Sequence, residues 1–187
     1  MYCHLFVELS LLFLLFNSCK AARKWEYEPL TLEFFSSDPK LVKTDLKIVR
    51  MGRADFGLSG TVEWNYDATD ETMVELTAFR SNSGDESDYK MLPWSIPKQS
   101  LFDYLNSYYK DMFMKDLVSC SNAPQFEDKF DESSIKQKYY AEKCIINGEG
   151  LPDMVPPGFY KLISNCTGPD QPSWSFVAVV KLTSKMF

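Results

Sequence analysis

Between Leu30 and Ala78 apolar and polar residues alternate with period two, and this alternation constrains the fold more than any other feature of the chain. Leu30, Leu32 and Phe34 alternate with Thr31 and Glu33; Val42, Leu46 and Ile48 alternate with Lys43, Asp45 and Lys47. Phe56, Leu58, Val62 and Trp64 stand against Ser59, Thr61, Glu63 and Asn65. A period of two sends successive side chains to opposite faces, so each segment predicts a half-buried antiparallel strand. Val74, Leu76 and Ala78 continue the pattern after the polar connection Asp67 to Glu71. Ala54 to Arg80 therefore reads as a long hairpin, with a turn at Ser81 to Asp85. Tyr89 to Ile96 reads as a further strand, confined to an edge by Pro93 and Pro97.

At Ser100 the period changes. Leu101, Phe102, Leu105, Tyr108, Tyr109, Met112, Phe113 and Leu117 form one broad stripe at helical spacing, with Ser100 and Asp103 placed as a capping pair. The spacing predicts one helix from Leu101 to about Val118. Ser121 to Tyr140 is polar without a sustained period and reads as a long loop with room for a helical turn at Ser133 to Lys138. A Gly- and Pro-rich link from Asn147 to Gly158 follows Cys144, and two strands close the chain, at Phe159 to Ser164 and Trp174 to Leu182. The expected fold is mainly β: an antiparallel β-sandwich or β-cup of about seven to eight strands with one amphipathic helix, the helix serving as a lid.

The first residues carry a different signal. An apolar core from Leu5 to Phe16, the polar stretch Asn17-Ser18-Cys19, and small residues at Cys19 and Ala21 have the layout of a secretory signal peptide cut before Ala22. The run is shorter than the roughly 20 residues that span a bilayer. Residues 1–21 are thus expected to be a signal peptide and 22–187 a single exported domain, without stable membrane insertion. Cleavage would remove His4, the only histidine, and with it any imidazole base or ligand. It would also remove Cys3 and Cys19. Cys120, Cys144 and Cys166 remain, an odd number that in an oxidising compartment predicts one disulfide and one odd thiol, or a pairing between chains. The leader holds one acid, Glu8, and one base, Lys20, so its loss leaves the formal net charge of −6 unchanged. An acidic surface argues against nucleic acid and anionic headgroups as partners.

Pro97 to Phe113, reading P-K-Q-S-L-F-D-Y-L-N-S-Y-Y-K-D-M-F, and Val155 to Leu162, reading V-P-P-G-F-Y-K-L, carry a family resemblance. The chain resembles the insect chemosensory CheA and CheB families, CheA more than CheB, which are similar to the ganglioside activator protein and to ML-type lipid-recognition domains. The order of segments agrees over most of residues 22–187, from Y-E-P-L-T-L-E-F at Tyr27 to Phe34 to the last strand. The resemblance implies a β-cup for apolar or lipid-like ligands, secreted into sensillum lymph and acting in contact chemosensation and pheromone response. It also implies a disulfide between Cys120 and Cys144. The activator has more cysteines, so its further bridges have no counterpart here.

The candidate ligand-binding residues are Phe56, Leu58, Val62, Trp64 and Leu76 on strands, and Phe102, Leu105, Tyr109 and Phe113 on the helix. For any one of them core packing is the simpler role. Collectively, the surplus of aromatics, with Met73, Met91, Met112, Met114 and Met154, suits an adaptable apolar pocket. Asn165-Cys166-Thr167 is a glycosylation sequon, and the sequence is equally compatible with its being used or unused. The acids at Asp67, Asp70 and Glu71, and at Asp85, Glu86 and Asp88, lack the spacing of a calcium loop and read as solvated turns. No metal or cofactor motif is present, and no acid pair is placed by motif for catalysis. The expected function is non-enzymatic binding of a small apolar or lipid-like ligand. The alternative is an extracellular interaction protein that modulates a chemoreceptor or ion channel, using Lys136, Lys138 and Lys143.

Overall fold

The alternating segments form nine strands in two antiparallel sheets. In the computed structural model the described residues are 24–53, 55–132, 135–148 and 150–185. The expected signal peptide, with Cys3, His4 and Cys19, lies outside the described residues, as do Ser133 and Ser134 of the expected helical turn. The strands are β1 (Trp25–Ser36), β2 (Val42–Thr44), β3 (Lys47–Arg50), β4 (Phe56–Trp64), β5 (Met73–Ser81), β6 (Lys90–Ser100), β7 (Lys138–Cys144), β8 (Gly158–Thr167) and β9 (Trp174–Ser184). One sheet has the order β1-β9-β8-β5-β6. In the other, β2 and β3 lie along one side of β4 and β7 along its opposite side.

Two strands more than the simplest count arise for separate reasons. Residues 42–50 alternate as one strand but divide at Asp45-Leu46, where the chain crosses over Gly60. A Cβ at Gly60, whose φ is +136°, would stand 2.7 Å from the Asp45 carbonyl, so only glycine lets β4 pass beneath the break. Asp45 Oδ1 accepts from the Thr61 amide and from Thr61 Oγ1 (2.9 Å), and this holds its carboxyl below the ordinary range. The second additional strand, β7, lies at the end of the expected loop.

The expected hairpin from Ala54 to Arg80 does not form. β4 and β5 belong to different sheets, and β5 pairs with β6 and β8. Alternation defines which face of a strand is buried but not its partner. Here the connection is itself anchored: Tyr66 stacks on Trp64 with ring centroids 4.8 Å apart, and buried Thr72 donates to Gln171 Oε1 (2.6 Å). At the next turn Asp88 Oδ2 accepts from Ser81 Oγ (2.8 Å) and the amides of Asn82 (2.9 Å) and Ser83 (3.1 Å). The Ser83 amide is the largest cause of a pKa lowered to about 2.

The helical stripe forms, but not as one regular helix. Ser100 Oγ accepts from the Asp103 amide (3.0 Å) and starts helix α1, which runs through Leu101–Tyr104, a π turn at Leu105–Tyr109, and Lys110–Met112. The π turn falls where side chains take up main-chain carbonyls: Asn106 Nδ2 donates to Phe102 O (2.8 Å) and Ser107 Oγ to Asp103 O (2.6 Å). Phe113, at φ −123°, interrupts the helix before a last turn, α2 (Met114–Leu117). Rather than covering a mouth as a lid, α1 sinks Leu101, Phe102, Leu105 and Tyr109 into one end of the sandwich.

The disulfide Cys120–Cys144 joins the end of α2 to β7, with a Cα separation of 5.4 Å. Strict alternation after Tyr139 and Ala141 would point Lys143 inward. Instead the β4–β7 register slips, Lys143 adopts φ +54°, and Cys144 turns inward to 1% exposure. Closing a loop of 24 residues by such a bridge stabilises a domain by roughly 3 kcal/mol. Replacing both cysteines by serine is therefore expected to lower the unfolding free energy by about 2–4 kcal/mol, read as a lower urea midpoint at constant slope.

Candidate functional site

The buried core includes two clusters. At one end Trp64, Tyr66 and Val42 pack with Leu101, Phe102, Leu105 and Tyr109 of α1 and with Phe130 and Ile135 of the following loop. Trp174 and Phe34, from the other sheet, complete this cluster: Trp174 meets Trp64 edge-on at 5.3 Å and its Nε1 donates to Tyr66 Oη (3.1 Å). At the other end a smaller cluster consists of Trp25, Tyr160 and Leu182, with Tyr27, Leu92, Val155 and Val180 against it.

Between these ends the register identifies the inward faces. Leu76 pairs with Ser164, Ser164 with Phe176, and Phe176 with Phe34 of the core, so all four share the inner face of the larger sheet. Leu162, Ala178 and Leu32 form the next row on that face. On the facing sheet Val62 and Leu58 follow Trp64 at even spacing, Leu58 paired with Ile48, and Phe56 comes next. Apart from Trp64 these residues are half-buried, whereas Ala78, Ile96 and Cys144, which pair with Leu162, Leu76 and Leu58, are buried. These half-buried rows of the two sheets, Ser164 among them, line the gap between the sheets.

The nine candidate residues divide accordingly. Phe56, Leu58, Val62 and Leu76 line the gap, whereas Trp64, Phe102, Leu105 and Tyr109 are buried in the larger cluster and Phe113 packs against it. Burial also raises the Tyr109 and Tyr104 phenol pKa values, the latter to about 12, which fits a packing role. Ile48, Leu32, Leu162, Ala178 and Phe176 line the gap as well. The sequence carried their alternation but nothing to distinguish lining from core. Of the methionines, Met114 packs on the core, Met73 lies on the outer face of β5, Met112 is half-buried beside Gly150, and Met91 and Met154 are exposed.

The link from β7 to β8 joins the two sheets along one side of this region. It is fastened to α2 by Asn147, whose amide and Nδ2 both donate to the Asp116 carboxylate (2.6 and 2.7 Å). It is fastened to β1 by Tyr27 Oη donating to Ile146 O (2.6 Å) and Trp25 Nε1 to Pro152 O (2.8 Å). The basic side chains of the 121–143 segment are already engaged in part. Lys136 pairs with Asp67 (3.2 Å), and Lys138 with Glu63 (2.9 Å), which Lys43 also meets (3.0 Å). The Lys138 contact, then that of Lys43, lowers the Glu63 pKa.

Cys166 is a free thiol with 0% exposure beside Tyr66. Burial pushes its pKa up to about 12, so it stays protonated at neutral pH. Asn165, the next residue, lies on the opposite face of β8, half-buried and away from the core. Among the described residues no three His, Cys, Asp or Glu side chains converge as a metal site, and no helix is long and apolar enough to cross a membrane.

The architecture defines a class: an antiparallel two-sheet β-sandwich, of a kind that fits a lipid-recognition-like domain. Residues 74–162 match the family model described as "Protein of unknown function (DUF1091)". That segment runs from β5 through α1 and both cysteines of the disulfide to the middle of β8. No curated protein matches the chain.

Core and gap residues are expected to respond differently to truncation. Phe102→Ala should cost about 3–5 kcal/mol, as a buried core residue requires, whereas Leu76→Ala, at a half-buried position, should cost under about 2 kcal/mol; equilibrium urea unfolding measures both. Cys166 should resist iodoacetamide at pH 8 in the native protein and react once it is unfolded in guanidinium, as peptide mass mapping would show.

Proposed function

We propose that this chain is a non-enzymatic binding protein that holds a small apolar or lipid-like molecule between its two sheets. The observation that carries the reading is the set of inward-facing but half-buried apolar residues, Leu58, Val62, Leu76, Leu162 and Ala178, on the facing sheets. Half-buried apolar side chains gain from an apolar guest, at about 0.8 kcal/mol per methylene withdrawn from water. A flexible hydrocarbon chain suits a space between two largely apolar sheet faces better than a compact polar metabolite. The resemblance at Pro97 to Phe113 and Val155 to Leu162 supports the narrower reading of a secreted chemosensory protein for lipid or hydrocarbon pheromones.

Leu58→Trp and Leu162→Trp, one from each sheet, fill the gap without touching either core cluster. Each is expected to weaken uptake of a fluorescent long-chain lipid by roughly 15- to 60-fold, corresponding to two or three fewer buried methylenes, with an unchanged far-ultraviolet spectrum. Equal uptake by the wild type and both variants would place the ligand elsewhere. No uptake by the delipidated wild type would remove the reading altogether.

A further inference from the structure

The outer face of the larger sheet carries a feature that ligand binding does not use. Glu75, Asn165, Ser175 and Phe35 form one cross-strand row on that face, from β5 through β8 and β9 to β1. They border an open depression of about 420 Å³ whose remaining walls include Ser37 and Ser173. Phe35 is 55% exposed and presents its ring on the sheet face turned to water. Asn165 Nδ2 reaches Glu75 Oε1 only at 3.5 Å, the outer limit of a hydrogen bond, so its amide is weakly held. Two strand spacings, about 9.6 Å, separate Asn165 from Phe35. An asparagine side chain extended by one pyranose ring covers that distance.

We infer that Asn165 is N-glycosylated and that the first N-acetylglucosamine lies in this depression against Phe35. Transfer from a polyprenyl-diphosphate-linked oligosaccharide forms the bond between Asn165 Nδ2 and sugar C1. The C1–oxygen bond to the diphosphate breaks, and the amide gives up one proton. Thr167 completes the acceptor sequence. Transfer precedes the pairing of β8, and the folded sheet tolerates the product because Asn165 faces away from the core, while Cys166 turns into it. In the folded protein the apolar face of the sugar covers the Phe35 ring. Glu75, Ser37 and Ser175 supply acceptors and donors for its hydroxyl and acetamido groups.

The full chain is expressed in insect cells, and the peptide containing residue 165 is examined by mass spectrometry. A hexosamine-bearing glycan is expected on wild type and Thr167→Ser and not on Asn165→Gln or Thr167→Ala. Removing the glycan should lower Tm by about 2–4 °C, and Phe35→Ala should abolish most of that difference. Unmodified Asn165 in the wild-type protein, whether in the medium or retained in cells, overturns the inference. A glycan whose removal leaves Tm unchanged, or costs as much in Phe35→Ala as in wild type, retains the modification and overturns the contact with Phe35.

Discussion

The contact of Trp64, Tyr66 and Trp174 is the interaction on which the rest of the structure depends. Trp64 belongs to the smaller sheet and Trp174 to the larger, and Tyr66 stacks on the first while accepting a hydrogen bond from the second. Three large rings in one place fix the separation of the sheets there and give α1 a surface to pack on. Trp25 and Tyr160 form a second cluster at the far end, made of larger-sheet residues and Val155 of the β7–β8 link. The positions between are mostly Leu, Val, Ala and Ser. The half-burial of these positions thus accompanies the placement of large and small residues along strands whose alternation is otherwise uniform.

The same arrangement accounts for the chemistry of Cys166. It pairs across the sheet with Val74 on one side and Trp174 on the other, under the aromatic contact, where a thiolate would have no solvation. A neutral thiol beside the Tyr66 hydroxyl is a packing group. The bond between Cys120 and Cys144, by contrast, holds α2 against β7, and so ties the helical end of the core to the smaller sheet. One cysteine fills space and two join elements. The outer face of β8 is then left to Asn165.

The faces of the strands were legible in the sequence, and their partners were not. Leu76 and Val62 read correctly as inward residues, yet the strands that carry them read as one hairpin, because alternation is identical whether a strand pairs with its neighbour or crosses to another sheet. β1 shows the limit within a single strand: Leu30 continues the pattern but is turned out by the irregularity between Pro29 and Thr31. β7 offered only Tyr139 and Ala141 as inward residues among Lys138, Glu142 and Lys143, too few to register as a period. The loop before it hides Phe126, Phe130 and Ile135, which seal the core at irregular spacing. For the site, residue type was an insufficient guide. Trp64 and Phe102 resemble pocket aromatics as closely as Phe56 does, and only the location of the sheets' contact separates them.

This distinction bears on what the protein can be asked to do. A sandwich packed uniformly would leave its inner residues with one role, and every inward substitution would act on stability. Here the aromatic residues that join the sheets are separate from those that line the gap, so the lining can change in size or shape while Trp64, Tyr66 and Trp174 continue to hold the sheets together. Such a division favours variation in what is bound over variation in fold. The matched segment, residues 74–162, includes the helix, the bridge and two wall residues of the gap, Leu76 and Leu162, but not the strands β4 and β9 that supply most of the others.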